Sequence, residues 1–445
     1  MNRLNLLNLL NLLNLLNLIL VTGTAALAGI MPLSATQPRE PVTVLRAGAA
    51  RVDITPAADA SLPMSGYASR SEGFTAIHDN LHARAVVIDD GRGRRAAILT
   101  LEIIGVHEAL WEAAAARLER EAGIARDHIL LAAVHTHAAP TLAPAPTMTP
   151  EVAQQRAGYS RKVEDAVVAA VTNAVSALQP ATVGFGVGKA HVNTNRRASN
   201  GEGGWMLGNN PDGVSDKTVA VIRFDDTRGE PIAILTNYSV HATVLGSANR
   251  QISADLAGAA SRAVERHYAG AVVAPWTSAA AGDQDPLYRV GTDFRNVTAL
   301  GHILADEVIR VADGIRGSPR ARIVARQTIV SCPGKRTVQT PAPGKPYTFE
   351  DADPVPIRLS LLVINDMALA GVSGEVLTNI GLRLKRQSPF NRTVMVTHCN
   401  GSVGYLPDDA AYEHVSYEIT ASRVKPGCAE DAIVNGFLEM MADLF

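Results

Sequence analysis

Short apolar runs alternate with stretches of helical spacing through most of this chain. Ala85–Asp89, Arg95–Ile104 and Ile129–Val134 are rich in β-branched residues and leucine, and their length predicts buried strands. Glu108–Ala122 has helical spacing and an Ala-rich composition, and Gly123 stops it. Residues 95–134 therefore read as strand–helix–strand, the βαβ unit. A proline-rich loop from Pro140 to Pro150 follows, and a long helix is predicted over Val152–Leu178, opened by Thr149-Pro150. Further strands are predicted at Thr182–Gly188, Thr218–Phe224, Ile232–Val240, Arg322–Val330, Ile357–Ile364, Met367–Val372 and Arg392–Thr397. Helices are predicted at Leu256–Tyr268, Ala299–Ala312, Glu375–Arg386 and near Ala429–Leu444. Two segments are left without elements. Asn193 to Gly213 is polar, Gly-rich and too irregular, and a loop of that length points to function. Pro333 to Pro356 is punctuated by Pro and Gly and reads as an excursion.

The first 35 residues follow a different rule. Asn-Leu-Leu repeats with period three from Asn5, Arg3 supplies a positive start, and Ala26-Leu27-Ala28 or Leu33-Ser34-Ala35 offers a cleavage site. This reads as a secretory signal peptide over 1–35, with a polar linker over 36–45. A spanning helix is disfavoured, because Asn at every third position is costly in lipid. The expected location is secreted or periplasmic.

Charge narrows the partners. With 41 Lys plus Arg against 43 Asp plus Glu, the net charge is −2, which gives no electrostatic reason for a nucleic-acid partner. Three cysteines, Cys332, Cys399 and Cys428, allow one disulfide and one free thiol, but spacing alone assigns no bridge.

Candidate chemistry sits where predicted strands end. His135-Thr136-His137 directly follows the Ile129–Val134 strand, and residues i and i+2 on extended backbone share a face. His241 ends the Ile232–Val240 strand. Glu375 follows Met367–Val372 through Gly374, where a carboxylate in a helix's first turn also has an ordinary explanation in the macrodipole. Tyr405 lies beyond Arg392–Thr397 and the turn Asn400-Gly401. Each is weak alone. Together, imidazoles and a carboxylate outside the carboxyl ends of strands are the ligand set of a hydrolytic zinc ion, which polarises a carbonyl and activates water.

Ordered motifs then bring in a family. Arg51-Val52-Asp53-Ile54-Thr55-Pro56, Gly66-Tyr67, Ile77-His78-Asp79, His135-Thr136-His137 with Pro140, and Asn193-Thr194-Asn195-Arg196 come first. They are followed by Asn237 to His241, Ser253-Ala254-Asp255, Ala281-Gly282-Asp283 with Pro286, Gly374-Glu375 and Gly404-Tyr405. The set, over roughly residues 45 to 420, resembles the catalytic region of the neutral, non-lysosomal ceramidases. The resemblance implies an α/β fold of layered mixed β-sheets flanked by helices, one large catalytic domain over 46–445, and zinc held by His135, His241, Glu375 and Tyr405. It implies His137 as an acid/base or hydrogen-bond donor behind the ion. Arg196 and Tyr417 would hold the amide and its oxyanion, with Tyr412 the competing candidate. A phenolate ligand requires the cation to drive off its proton.

Two departures qualify what the resemblance implies. The family's Gly-Asp-x-Ser-Pro reads here Gly282-Asp283-Gln284-Asp285-Pro286, so Asp285 stands at a serine position. A carboxylate there could orient or deprotonate water, or favour a cationic substrate group. The family's C-terminal immunoglobulin-like module has no counterpart, which implies a free-standing catalytic domain. The expected substrate is a small-molecule or lipid amide, with room for peripheral membrane contact. Pro140–Met148 and Trp205-Met206-Leu207 are candidates to border an acyl groove. An ester, a lactone or an acylated amine is the alternative substrate, and a secreted binding protein without turnover is the alternative outside enzymes.

Overall fold

Side chains on successive strand residues point to opposite faces, and here both faces of the central strands are apolar. In a computed structural model, residues 44–444 are described, apart from 61, 71, 144–147, 290, 321 and 343–344. Along Arg95–Leu101, Ala97, Leu99 and Leu101 pack in a core shared with helices, whereas Ala96 and Ile98 pack in a core shared with a second sheet. Along Met367–Val372 the split repeats: Met367 and Leu369 face the first sheet, while Ala368, Ala370 and Val372 face away from it.

This double-sided pattern builds four layers. The first sheet has eight strands in the spatial order Trp276–Ser278, Pro231–Tyr238, Thr218–Asp226, Gln179–Lys189, Arg46–Asp53, His82–Asp89, Arg95–Leu101, Ile129–Ala133. Its outer face is covered by the helices Glu108–Ala122, Pro150–Ser176, Asp255–His267 and Phe294–Gly314. The second sheet has four strands, Ile323–Gln339, Thr348–Ile364, Met367–Val372 and Arg392–Val396, covered by Thr378–Gln387 and Ala429–Ala442. Both sheets are mixed. Arg95–Leu101 runs parallel to Ile129–Ala133, Pro231–Tyr238 to Trp276–Ser278, and Met367–Val372 to Arg392–Val396, and the other pairings in these two sheets are antiparallel. The layered α/β architecture expected from the sequence is the one observed.

Helix ends follow their sequence signals. Gly123 takes the left-handed conformation at φ 64° and its N–H bonds Leu118 O, while the Thr149 side chain accepts from Val152 N ahead of Pro150. Three readings need correction. Asn193 to Gly213 is not irregular: Asn193–Ser199 and Trp205–Asn210 form a hairpin, and the first strand also pairs with Gln284–Pro286. These strands are polar because they sit near the site rather than in the core, so apolar alternation misses them. Pro333 to Pro356 is not an excursion, because both long strands of the second sheet run through it. Pro333 is accommodated where the register shifts between Cys332 and Gly334. Glu375 does not open a helix, since the helix begins at Thr378 and Glu375–Val376 is a two-residue strand. The signal peptide lies outside the described residues, as does most of the 36–45 linker; the linker's last residue, Leu45, is fully buried with its N–H on Pro319 O. Among the described residues no helix is long and apolar enough to cross a membrane.

Two features give stability predictions. Cys332 and Cys428 form a disulfide that joins the second sheet to its last helix across 96 residues, and Cys399 is free and buried. Closing a loop of that length removes about 4–5 kcal/mol of unfolded-state entropy in the chain-entropy picture. Reduction, or Cys332→Ser with Cys428→Ser, should lower the melting temperature in calorimetry, and Cys399→Ser should lower it far less.

Asp255 is fully buried and accepts backbone N–H groups from Val244, Leu245 and Leu256. Burial pushes its carboxyl up to about 6, against the opposing pull of those three N–H groups. An unfolded Asp titrates near ~3.9. Between those values the folded chain holds a proton that the unfolded chain has lost, so stability falls as pH rises through this window, by up to about 3 kcal/mol. Urea unfolding from pH 4 to 7 should show this slope in the parent protein and a weaker one in Asp255→Asn.

Candidate active site and metal centre

Four strands deliver their carboxyl ends to one edge of the sandwich. Beyond Ile129–Ala133, His135 adopts a left-handed backbone at φ 63°, with its N–H on Ile103 O at 3.1 Å. Its ring Nδ1 faces Ile104 O at 2.6 Å. A carbonyl can only accept, so Nδ1 carries the proton and Nε2 keeps its lone pair. His241, beyond Pro231–Tyr238, repeats the device: Nδ1 faces Ala281 O at 2.8 Å and Gln284 O at 3.0 Å, which again leaves Nε2 as an acceptor. A parallel bridge between Thr136 and Ala242 sets the two histidines side by side, with ring centroids 4.7 Å apart and planes at 71°.

Glu375 arrives from the second sheet. Glu375–Val376 pairs in parallel with Tyr405–Leu406, in a register that puts Glu375 directly opposite Tyr405. Gly374 is required by close approach, since a Cβ there would collide with the Leu406 side chain. Glu375 Oε1 lies 2.7 Å from His241 Nε2 and 3.4 Å from His135 Nε2. With both Nδ1 atoms protonated, three acceptors crowd together in a buried place, which is unfavourable unless a proton or a cation lies among them. Burial, and then Arg196, push the His241 ring below its ordinary value, which disfavours the proton. Burial raises the Glu375 carboxyl, whereas positive charge on the His135 and His241 side would hold it well below the usual carboxylate range. Two imidazole nitrogens, a carboxylate and a nearby phenol are a donor set that fits a divalent cation. Ligand atoms of His135, His137 and His241, and separately of His135, Glu375 and His398, lie within 4.8 Å of one another.

Arg196 organises the opposite side. It is buried, and donates from Nη2 to the Tyr405 hydroxyl at 2.8 Å, from Nε to Glu418 Oε1 at 2.7 Å and from Nη1 to Asp285 Oδ1 at 3.3 Å. Burial raises the Tyr405 phenol well above its ordinary value, and Arg196 pulls it the other way. Asp285 is also buried and is shared by Thr243 Oγ1 at 3.4 Å and Arg289 Nη1 at 2.6 Å. Burial would raise its carboxyl, yet Arg196, His241 and Arg289 hold it below the ordinary value. Its charge is therefore already answered on both oxygens, which leaves little for a cationic substrate group. An open cavity of about 470 Å³ adjoins it, lined among others by Thr194, Leu207, Asn209, Leu287 and Arg289.

The remaining expected residues are also here. His137 Nε2 lies 3.2 Å from His135 Nε2, and its Nδ1 is buried without a partner. Burial and then the neighbouring His135 and His241 rings push its pKa well below the ordinary value. Gly66, at φ 93°, presses against this ring where a Cβ would collide with it. Tyr417 is 49% exposed, its ring 5.6 Å from that of Tyr405. Tyr412 instead donates to Val424 O at 2.7 Å as a packing residue. Met206 lies exposed on the nearby hairpin, whereas the Pro140–Met148 border runs through residues 144–147, outside the described set. One residue escaped the sequence reading. His398 is buried and its ring stacks on His135 with centroids 3.9 Å apart at 12°. The signal existed, because His398 directly follows a predicted strand, as His135 and His241 do.

The sequence profile described as Neutral/alkaline non-lysosomal ceramidase, N-terminal, matches residues 45–295, more than half of the chain. Neutral ceramidase of Pseudomonas aeruginosa is 30% identical over 247 residues, covering 52% of this chain and 35% of that protein. Neutral ceramidase B of Dictyostelium discoideum is 28% identical over 228 residues, covering 47% of this chain and 30% of that protein. The chain thus spans about a third of the length of these curated relatives. Among solved structures, a ceramidase complexed with C2 superposes with a TM-score of 0.76 at 20% identity, covering 90% of this chain and 75% of that one. Neutral ceramidase from Pseudomonas aeruginosa gives a TM-score of 0.73 at 19% identity, covering 90% of this chain and 74% of that one. With the profile covering more than half of its length, this chain belongs to the neutral/alkaline non-lysosomal ceramidase family.

Proposed function

We propose that the chain is an exported, zinc-dependent hydrolase of N-acyl amides of the ceramide kind. The observation that carries this is the crowding of three acceptors: His135 Nε2 and His241 Nε2 both lie within 3.4 Å of Glu375 Oε1, with the Tyr405 phenol opposite Glu375. These four residues would hold the ion. Once bound, zinc supplies a Lewis acid that polarises the amide carbonyl and activates water.

The chain's own residues supply the rest. Arg196 answers the Tyr405 oxygen with its positive charge and favours the ionised phenol as a ligand. His137, kept neutral by its surroundings, faces the centre through Nε2, 3.2 Å from His135 Nε2, and there would take up a proton and return it to the leaving amine. Tyr417 offers a hydroxyl to the developing oxyanion. Arg196 uses three of its five N–H groups on Glu418, Asp285 and Tyr405, which leaves two that could serve that oxyanion. Export is supported by the Cys332–Cys428 disulfide, which persists in oxidising compartments.

A second reading concerns the substrate. Asp285, tied to Arg196 and Arg289 beside a partly polar cavity, favours an acyl compound smaller or more polar than ceramide, such as an ester, a lactone or a short acylated amine.

Metal analysis of the purified protein should find about one zinc per chain. His135→Ala and Glu375→Ala should lose it, and with it at least about 100-fold in hydrolysis of N-acyl sphingosine or short N-acyl amines. Stoichiometric zinc with no turnover of any amide or ester would remove the reading. Asp285→Ser should raise turnover of N-acyl sphingosine relative to short N-acyl amines if this position sets preference. An unchanged ratio would take Asp285 out of substrate selection.

A further inference from the structure

His398 shares one of the two metal-sized clusters at the site, with His135 and Glu375. Ring geometry decides what it does there. A metal ion lies in the plane of each imidazole that binds it, along the nitrogen lone pair. The His135 and His398 rings are stacked at 12° with centroids 3.9 Å apart. Planes tilted by only 12° and offset by a stacking distance meet far beyond the reach of a metal–nitrogen bond, so an ion in the plane of His135 does not also lie on the lone pair of His398. The other pairs differ: His135 and His241 meet at 71°, and His137 and His241 at 68°, so their planes do intersect. Proximity alone would have made His398 a ligand, whereas orientation excludes it.

Its position suits another task. His398 covers one face of the His135 ring, while Ile104 O fixes the ring's Nδ1 edge. Its backbone ties together the segments that carry two of the expected ligands. The His398 N–H donates to Gly374 O at 3.1 Å, beside Glu375, and its carbonyl accepts from Ala133 N at 3.2 Å, two residues before His135. It does so from a left-handed backbone at φ 51°, a conformation that costs free energy for a residue with a side chain and persists only where the surroundings hold it.

We infer that His398 is a positioning residue: its flat face fixes the His135 imidazole so that Nε2 points at the cation, and its backbone joins the two sheets at the ligands. This rests on the metal reading above. The partners of a ligating histidine typically change metal affinity by about 10–100-fold when removed.

Zinc affinity by chelator competition and the visible spectrum of the Co(II)-substituted protein test it without any substrate. His398→Gly keeps the left-handed backbone accessible and removes the ring, so it should bind zinc about 10–100-fold more weakly and shift the Co(II) bands. His398→Phe keeps a flat face and no nitrogen, so it should recover most of the affinity and the parent spectrum. Parent-like zinc affinity and spectrum in His398→Gly would overturn the inference. So would a His398→Phe variant as weak as His398→Gly, because the nitrogen would then be what matters. Should His398→Gly fail to fold by circular dichroism, His398→Phe carries the test alone. A parent protein that binds no zinc fails the metal reading instead, which keeps the two failures apart.

Discussion

Acceptor atoms do not approach one another in a dry interior unless something positive lies between them. At the edge of this sandwich two imidazole nitrogens and a carboxylate oxygen are brought together, and both imidazoles spend their protons on backbone carbonyls facing away. Much of the surrounding structure maintains that arrangement. The parallel bridge of Thr136 to Ala242 aligns the histidines, the Glu375–Tyr405 register presents the carboxylate and the phenol, and the two sheets pack through a shared apolar core behind them. The first sheet supplies the imidazoles and the second supplies the carboxylate, so the centre exists only because the layers are stacked.

Charge around this centre is closely paired. Arg196 answers Glu418, Asp285 and the Tyr405 oxygen, and Arg289 takes the second oxygen of Asp285. The Asp285 carboxylate is therefore held as part of an ion-pair network rather than standing free in the pocket. Burying such a network is costly unless every member is satisfied, and here the partners come from separate stretches of chain.

Sequence legibility followed physical scale. Periodicity located the core strands and most helices, because burial on both faces leaves long apolar runs and helix ends carry local capping chemistry. It failed at Asn193–Ser199 and Trp205–Asn210, whose stability comes from backbone pairing, and at the long hairpin through Pro333, where a register shift absorbs the proline. His135, His241, Glu375 and Tyr405 were findable as polar residues after strands. Local spacing nevertheless predicts a helix at Glu375, since only pairing with Tyr405–Leu406 makes its backbone extended. His398 meets the same strand-end criterion.

By itself the sequence determined what is local: which segments bury apolar faces, where helices stop, and which residue types stand ready for metal chemistry. Tertiary structure alone decided which of those residues meet, which ring nitrogen keeps its lone pair, that Cys332 rather than Cys399 bonds Cys428, and that His398 lies flat on His135. The reason is geometric. Ring orientation and tautomer depend on carbonyls and neighbours from segments tens to hundreds of residues away, and no short-range pattern in a chain encodes the angle between two distant planes.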